Sequence, residues 1–538
     1  MNCLILGAGL MQKPAILCAR ELGFKVCVVD ADDKAVAIPV ADEFKKIDLK
    51  DKDAILEYAK VLSKAENGGL RAVFTAGTDF SASVSYVTEK LGLPSHSYEA
   101  SLNASIKSRM RKCFTENNVP SPKFLTVSKE DDISLSEILK LLNFPFVVKP
   151  IDIMGARGCR IVRNEKEFLT SIKAALDASR TGNAIIEEYM EGPEFSIDAL
   201  VVDGTFTITG FAERHIKYEP YFIEVGHTMP AKIDEKMKNE LISVFALGAK
   251  ALGLTNGAAK ADIKYTKNGP EIGEIAGRLS GGYMSGWTYP YSSDLNLTKE
   301  AILIASGETP KDLFAKRLEV PYTPSILCKD NPQPYKLYEV PSIRTASERA
   351  WMSIPGTVEY IENVTGYTDQ AIFDTLPCAT VTLGTEVDFP RNNVEKCGNI
   401  IAVSHSRDIS MTVAEDAVSN IFITLKPNNE RTDKFLNRVY EDDEDMFPPD
   451  AFGQLSSEDL DSIQGVIPKD ACVVDYIPDV LKKDEFKKKK DWTYNTIKTV
   501  AEKFDILRAK HKEIDAKRFW NAVTRGGLQA AVYVSDSQ

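Results

Sequence analysis

The sequence predicts a multidomain protein of mixed α/β and α+β class that begins with a parallel sheet. Strands and helices alternate over the first hundred residues, and a strand-rich region with glycine turns follows. At 538 residues the chain is also too long for one hydrophobic core and suggests three or four domains or subdomains. Asn2 to Leu6 is an apolar run that ends at Gly7-Ala8-Gly9, and Pro14 to Leu22 has helical spacing that stops at Gly23. Lys25 to Val29 is the next strand, a helix is expected over 52–64, a strand at Arg71 to Thr75 and a helix over 79–91. Such a βαβαβ run implies right-handed crossovers between parallel strands. Gly7 and Gly9 with Asp30 downstream invite a dinucleotide reading, but Gln12 stands where that fingerprint needs its third glycine. The turn is therefore expected to line a cleft for another small molecule.

Further along, residues 101–118 read as a helix with Lys107 near its start, ended by Pro120 and Pro122. Strands at Phe144 to Lys149 and Cys159 to Val162 precede a helix over 165–177, then a strand at Ala184 to Glu188. Phe195 to Val202 and Thr205 to Ala212 form a hairpin through Asp203-Gly204, and a helix over 236–252 leads to a second hairpin over 257–276. From 330 to about 427 short strands and one helix suggest a smaller α+β domain. The last hundred residues carry an acidic run (Glu441 to Asp445), Pro448-Pro449, a basic run (Lys482 to Lys490) and a helical stretch over 491–523. This reads as a linker and a helical appendage whose charged blocks are solvated. Trp492, Tyr494, Phe519 and Trp520 are expected to dock on the body or on a second subunit.

Composition narrows the function. A net charge of −12 argues against a global nucleic-acid partner. No apolar run approaches the roughly 20 residues of a membrane span. Nine cysteines, an odd number without a CxxC pair, fit reduced thiols in a cytoplasmic protein.

Three stretches carry chemistry. In the hairpin over 257–282, Asp262 and Glu274 end up across from each other if the strands pair, followed by Arg278 and Gly281-Gly282. Two carboxylates suit magnesium with phosphate oxygens, and an arginine can neutralise charge that develops in phosphoryl transfer. Lys149 ends a buried strand and precedes the loop Gly155-Ala156-Arg157-Gly158, which lacks the GK[ST] of a Walker A motif but can cradle a phosphate. The strand Ile185 to Met190 can offer backbone groups to a purine edge, and Glu194 can accept from ribose hydroxyls.

Together these stretches resemble the ATP-grasp superfamily, of the carboxylate–amine ligase type, over residues 1 to about 430. Lys107 in IKSRMRK, Lys149 before the GARG loop, EEYMEGPE at 187–194 and Asp262, Glu274 and Arg278 carry the resemblance, in the family's order. It implies an ATP-grasp fold with a pre-ATP-grasp α/β domain over 1–100 and a nucleotide domain over 101–320 with its lid at about 125–205. An α+β domain like that of biotin carboxylase over 321–430 and a linker with helical tail over 431–538 complete it. It implies that Lys107 and Lys149 contact ATP phosphates beneath a mobile loop from Gly155 through Arg157 to Gly158. Glu187, Glu188, Tyr189 and Met190 would hold adenine, Glu194 the ribose, and Asp262 and Glu274 magnesium, or manganese in its place. Arg278 would stabilise an acyl-phosphate and the tetrahedral intermediate. Many relatives carry Asn-Pro-Arg where this chain has Ala276-Gly277-Arg278, so a third metal ligand is missing and the metal count stays open.

The implied reaction activates a carboxylate as an acyl-phosphate and passes the acyl group to an amine, releasing ADP and phosphate. Tyr221 to Pro230 and Gly257 to Lys260 look like substrate-side segments of L-amino-acid ligases, which makes Glu224, His227, Lys260, Gly281 and Gly282 candidate substrate residues. The expected partners are a small carboxylate and an amine, without nucleic acid or membrane, and a homodimer is compatible with the class. Gly7 to Gln12 and Gly77-Thr78-Asp79 resemble first-domain loops of purine-pathway carboxylases and carbamoyl-phosphate-type enzymes, so bicarbonate activation is the alternative. A nucleotide-binding regulatory protein with weak turnover is a second.

Overall fold

The computed structural model describes every residue except 132, 363–371, 439–446 and 538, so the acidic run from Glu441 lies outside the described residues. The chain divides into two compact units. One comprises Met1–Phe222, His227–Ser347 and His405–Arg407; the other comprises Ile223–Gly226, Glu348–Ser404 and Asp408–Gln538.

The first unit opens with a four-stranded parallel sheet of β1 (Asn2–Leu6), β2 (Lys25–Asp30), β3 (Glu43–Lys46) and β4 (Leu70–Phe74), in the order β3-β2-β1-β4. Helices α1 (Lys13–Glu21), α2 (Lys52–Ser63) and α3 (Ser81–Leu91) connect it. Its strands are apolar at successive positions because both faces are covered: Cys3 and Ile5 enter one core, Leu4 and Leu6 the other. Gln12 folds into the turn after β1, accepting from Gly9 N at 3.0 Å and donating to Ala76 O.

The helix expected over 101–118 is two helices, α4 (Tyr98–Ser105) and α5 (Lys107–Glu116). Ile106 between them is extended (φ −111°, ψ 111°), so Lys107 begins α5. Next comes an antiparallel sheet of β5 (Phe124–Ser128), β6 (Phe146–Pro150), β7 (Arg160–Val162) and β8 (Asn183–Glu188), ordered β5-β8-β6-β7. The helix Glu165–Ala178 packs on β6 and β7 through Phe168, Ile172 and Ala175.

The sheet that carries the site contains β9 (Glu194–Val202), β10 (Thr205–Lys217), β12 (Gly257–Thr266) and β13 (Gly269–Ala276), ordered β13-β12-β9-β10. β11 (Ile223–Met229) has residues in both units. The turn between β12 and β13 is only Lys267-Asn268. Alternation decides what each face does. Phe195, Ile197, Ala199, Ala261, Ile263 and Ile275 enter the core beneath the helix Glu235–Leu252. Glu194, Ser196, Asp198, Lys260, Asp262, Lys264 and Glu274 alternate with them on the other face.

In the second unit, β18 (Ile372–Ala379) pairs antiparallel with β20 (Gly398–Ser404), and β17 (Gly356–Glu362) pairs with β19 (Glu386–Val387) and β21 (Phe422–Leu425). The C-terminal segment belongs to this unit's core: Phe519 and Trp520 are fully buried and Trp492 packs edge-on to Phe389 at 4.9 Å. The basic run is solvated, with Lys482 on Asp479 at 2.8 Å and Lys483 on Asp459 at 3.2 Å.

Candidate active site

Because Ile106 breaks the helix, the first N–H of α5 is available, and Lys107 N donates to Ile151 O at 3.0 Å. The Lys107 ammonium donates to Ile153 O at 2.8 Å and lies 3.8 Å from Glu274 Oε1. One residue thus ties the glycine loop to the carboxylate hairpin. In that loop Gly155, Ala156 and Gly158 all have positive φ (74°, 61° and 68°), and exposed Arg157 donates back to Met154 O at 3.2 Å.

Lys149 and Glu187 are diagonal neighbours on β6 and β8, since Val147 pairs with Glu187 and Lys149 with Ile185. The Lys149 ammonium sits 2.6 Å from Glu187 Oε2. Arg111, one helical turn after Lys107, donates its Nε to Glu187 Oε1 at 2.7 Å and its Nη2 to Gly273 O at 2.6 Å. Burial pushes the Glu187 carboxyl up, but Arg111 and Lys149 pull it further down, so it is held below the usual carboxylate range. Expected on the adenine, the Glu187 side chain instead engages these two cations. Glu188, its exposed neighbour, donates its N–H to Lys123 O at 3.0 Å, and its carboxylate accepts from Lys123 N at 3.5 Å.

Asp262 and Glu274 stand directly opposite across the β12–β13 ladder. Burial raises the Glu274 carboxyl, and the charges of Lys107, Lys260 and Lys149 outweigh it, so the group is held ionised below its ordinary range. Two opposed hard oxygen donors fit a magnesium ion that completes its shell with phosphate oxygens and water. Asp262 is also paired with the chain's own cations: Arg214 Nη1 lies 3.0 Å from its Oδ2, and Lys260 donates to the same oxygen. Arg214 reaches Glu194 Oε1 as well, at 2.6 Å. Ala276 pairs with Lys260, so β13 offers no ligand side chain directly across from that residue.

Arg278 is 8% exposed and follows β13. It donates to Leu279 O at 2.9 Å and Met154 Sδ at 3.2 Å, and lies 3.9 Å from Asp79 Oδ1. Its Nε has no partner among the described residues. The segment after it is anchored from two sides. Ser280 donates its N–H (3.0 Å) and its hydroxyl (2.8 Å) to buried Asp198, whose carboxyl burial pushes up to about 6. Leu279 forms a parallel bridge with Ala76, and a Cβ on Gly77 would lie 3.2 Å from Gly281 Cα, so glycine is needed at this approach. Gly282 follows in the left-handed region (φ 60°).

A cavity of about 350 Å³ opens beside these groups, lined among others by Tyr189, Glu194, Arg214, Tyr221, Phe222 and Lys264. Lys264 sits over the Tyr189 ring at 4.9 Å and donates to Met190 O at 3.1 Å. Gly192 makes the bend possible: its φ is 146°, and a Cβ there would fall 2.1 Å from Tyr265 O. Of the candidate substrate residues, Lys260 is drawn onto Asp262. His227 is fully buried with Nε2 2.8 Å from Thr288 Oγ1. The Glu224 backbone is held by Asn393 at 2.8 Å and Lys396 at 3.0 Å. Arg111, Lys264, Arg214, Asp198 and Ser280 escaped the sequence reading. The first lies at i+4 from Lys107, and β9 and β12 show Asp198 and Lys264 as charged residues at alternate positions, whereas Arg214 in the polar end of β10 and Ser280 in the loop after β13 carry no such pattern.

Lys107 at the start of α5, Lys149 on the β5-β8-β6-β7 sheet, the opposed carboxylates of the β12–β13 hairpin and the buried arginine after it are the residues expected of an ATP-grasp site. Residues 142–286 match the family model of the ATP-grasp domain, so this stretch of the chain is an ATP-grasp domain. The uncharacterised protein y4rH of Sinorhizobium fredii is 21% identical over 77% of this chain and 81% of its own. Carnosine synthase 1 of Gallus gallus is 26% identical over 57% of this chain, which spans only 35% of that enzyme. Among solved structures, an L-amino acid ligase from Bacillus licheniformis superposes with a TM-score of 0.63 at 19% identity, covering 79% of this chain and 98% of that one. The expected mixed α/β multidomain ATP-grasp fold is therefore the observed one.

Proposed function

We propose that this protein is an ATP-dependent carboxylate–amine ligase. It activates a small carboxylate, an amino acid in the first instance, as an acyl-phosphate and passes the acyl group to an amine with release of ADP and phosphate. The observation that carries this reading is the cross-strand pair Asp262 and Glu274, with Lys107 3.8 Å from Glu274 and buried Arg278 just past the end of the same hairpin. The sequence likeness to carnosine synthase supports the ligase class. Bound at the two carboxylates, magnesium would neutralise and align phosphate oxygens. Lys107 and Lys149 would hold the transferred phosphate, whose loose transition state needs charge neutralisation and alignment more than covalent help. Arg278 would meet the oxyanion of the acyl intermediate, with Asp198 and Ser280 fixing the loop that carries it. Tyr189 and the Met190 backbone line the place for adenine, with Glu194 for the ribose. The absence of disulfides among the eight described cysteines fits a cytoplasmic enzyme.

A phosphate-release screen over an amino-acid panel, with wild type beside Arg278→Ala, tests this reading. Amino-acid-dependent release is expected, falling about 10²–10³-fold in the variant, the usual cost of one oxyanion donor. Equal release from both proteins removes Arg278 from the chemistry. Release with bicarbonate alone would replace the ligase reading by a carboxylase, and nucleotide binding without release over the whole panel by a regulator.

A further inference from the structure

On the sheet face that carries Asp262 and Glu274, the carboxylates are met by cations of the chain itself. Lys107 is near Glu274, and Lys260 and Arg214 are both on Asp262 Oδ2, with Arg214 shared by Glu194. The last two come from different strands, β12 and β10, so Asp262 is approached from two directions. A divalent ion arriving alone must either displace one of them from Oδ2 or take Oδ1 with both positive charges still within a few ångströms. A nucleotide changes this. Its phosphate oxygens accept from ammonium and guanidinium groups and ligate the metal at the same time.

Taking Asp262 and Glu274 as the metal ligands, we infer that Lys260 and Arg214 close Asp262 to a free divalent ion, so that metal loads only together with nucleotide phosphates. The two cations act as internal counter-ions that trade partners: on loading they pass from Asp262 to phosphate, and the metal takes their place. Metal and nucleotide then bind with strong mutual dependence, which is reciprocal by linkage. Lys260 pairs with Ala276 in the ladder, and its ammonium turns to Asp262, where its charge also acts on Glu274.

Protein-bound Mn²⁺, followed by electron paramagnetic resonance on the full chain, reads this out without turnover. Wild type, Arg214→Gln, Lys260→Gln, Lys260→Arg and Asp262→Asn are titrated with Mn²⁺ alone and with Mn²⁺ plus a non-hydrolysable ATP analogue. Wild type is expected to bind Mn²⁺ only with the analogue. Arg214→Gln and Lys260→Gln should each bind Mn²⁺ alone at least about tenfold more tightly than wild type, the scale of one nearby charge at the effective dielectric of a protein surface. Lys260→Arg should stay closed, and adding Asp262→Asn should abolish the gain. A denaturant unfolding midpoint close to that of wild type shows that a variant is folded, and either glutamine variant alone decides the matter. Equally tight binding of Mn²⁺ alone by wild type and both glutamine variants overturns the inference. A different result marks failure of the metal-site reading itself: Asp262→Asn and Glu274→Gln would leave Mn²⁺ binding with the analogue unchanged.

Discussion

Glu187 shows how much a single residue depends on where its charge partners lie. Its side chain is 2% exposed, and without Arg111 and Lys149 an ionised carboxylate could not stay there. Removing one member of a buried ion group leaves an uncompensated charge, which costs about 3–5 kcal/mol. Arg111→Met should therefore lower unfolding stability by about that amount in denaturant titrations. Combined Arg111→Met and Glu187→Met should recover much of the loss; no recovery would mean that Arg111 acts through packing alone. At this scale the sequence was partly legible. Lys107, Lys149, Asp262, Glu274 and Arg278 stand out by spacing and strand position. That Glu187 faces inward could not be read, because the choice between an edge-facing and a core-facing glutamate rests on Arg111, which comes from a helix 76 residues earlier.

Strands and their connections place these groups. The alternation in β9 and β12 that separates Phe195, Ile197 and Ile263 from Glu194, Asp198 and Asp262 is visible in the sequence, whereas the registry that sets Asp262 opposite Glu274 depends on a two-residue turn. The break at Ile106 was not legible, since the helical pattern runs through it. Another junction is held by His96, whose Nε2 meets Ala258 O at 2.8 Å while Thr255 N and Asn256 N each donate to its Nδ1 at 3.1 Å. Burial pushes this imidazole down from 6.5 to about 4. Between those values the unfolded chain holds a proton that the folded chain does not, so the contribution is complete above pH 6.5 and is lost as pH falls towards 4. The stability of wild type relative to His96→Gln, compared at pH 7 and pH 4.5 by chemical unfolding, should shrink by about 2–3 kcal/mol. A pH-independent difference would mean that His96 is not titrating in this window.

For the molecule as a whole, composition and the strand–helix rhythm reach the fold class, and the C-terminal segment is where they stop. Its aromatic residues were legible as docking groups, but nothing in the sequence says that they complete the core of the second unit. Phe504 and Phe519 meet edge-on at 5.0 Å, and Phe519 and Trp520 at 5.1 Å. Trp520→Ala should destabilise that unit by about 3–5 kcal/mol, seen as a lower unfolding midpoint and faster proteolysis within residues 408–538. Unchanged protease resistance would make the segment an appendage after all. The bridge between Ala76 and Leu279 has a consequence of another kind. Leu279, the residue after Arg278, is thereby tied to the parallel sheet, so a substitution within the first hundred residues can shift Arg278 without touching Lys149, Asp262 or Glu274.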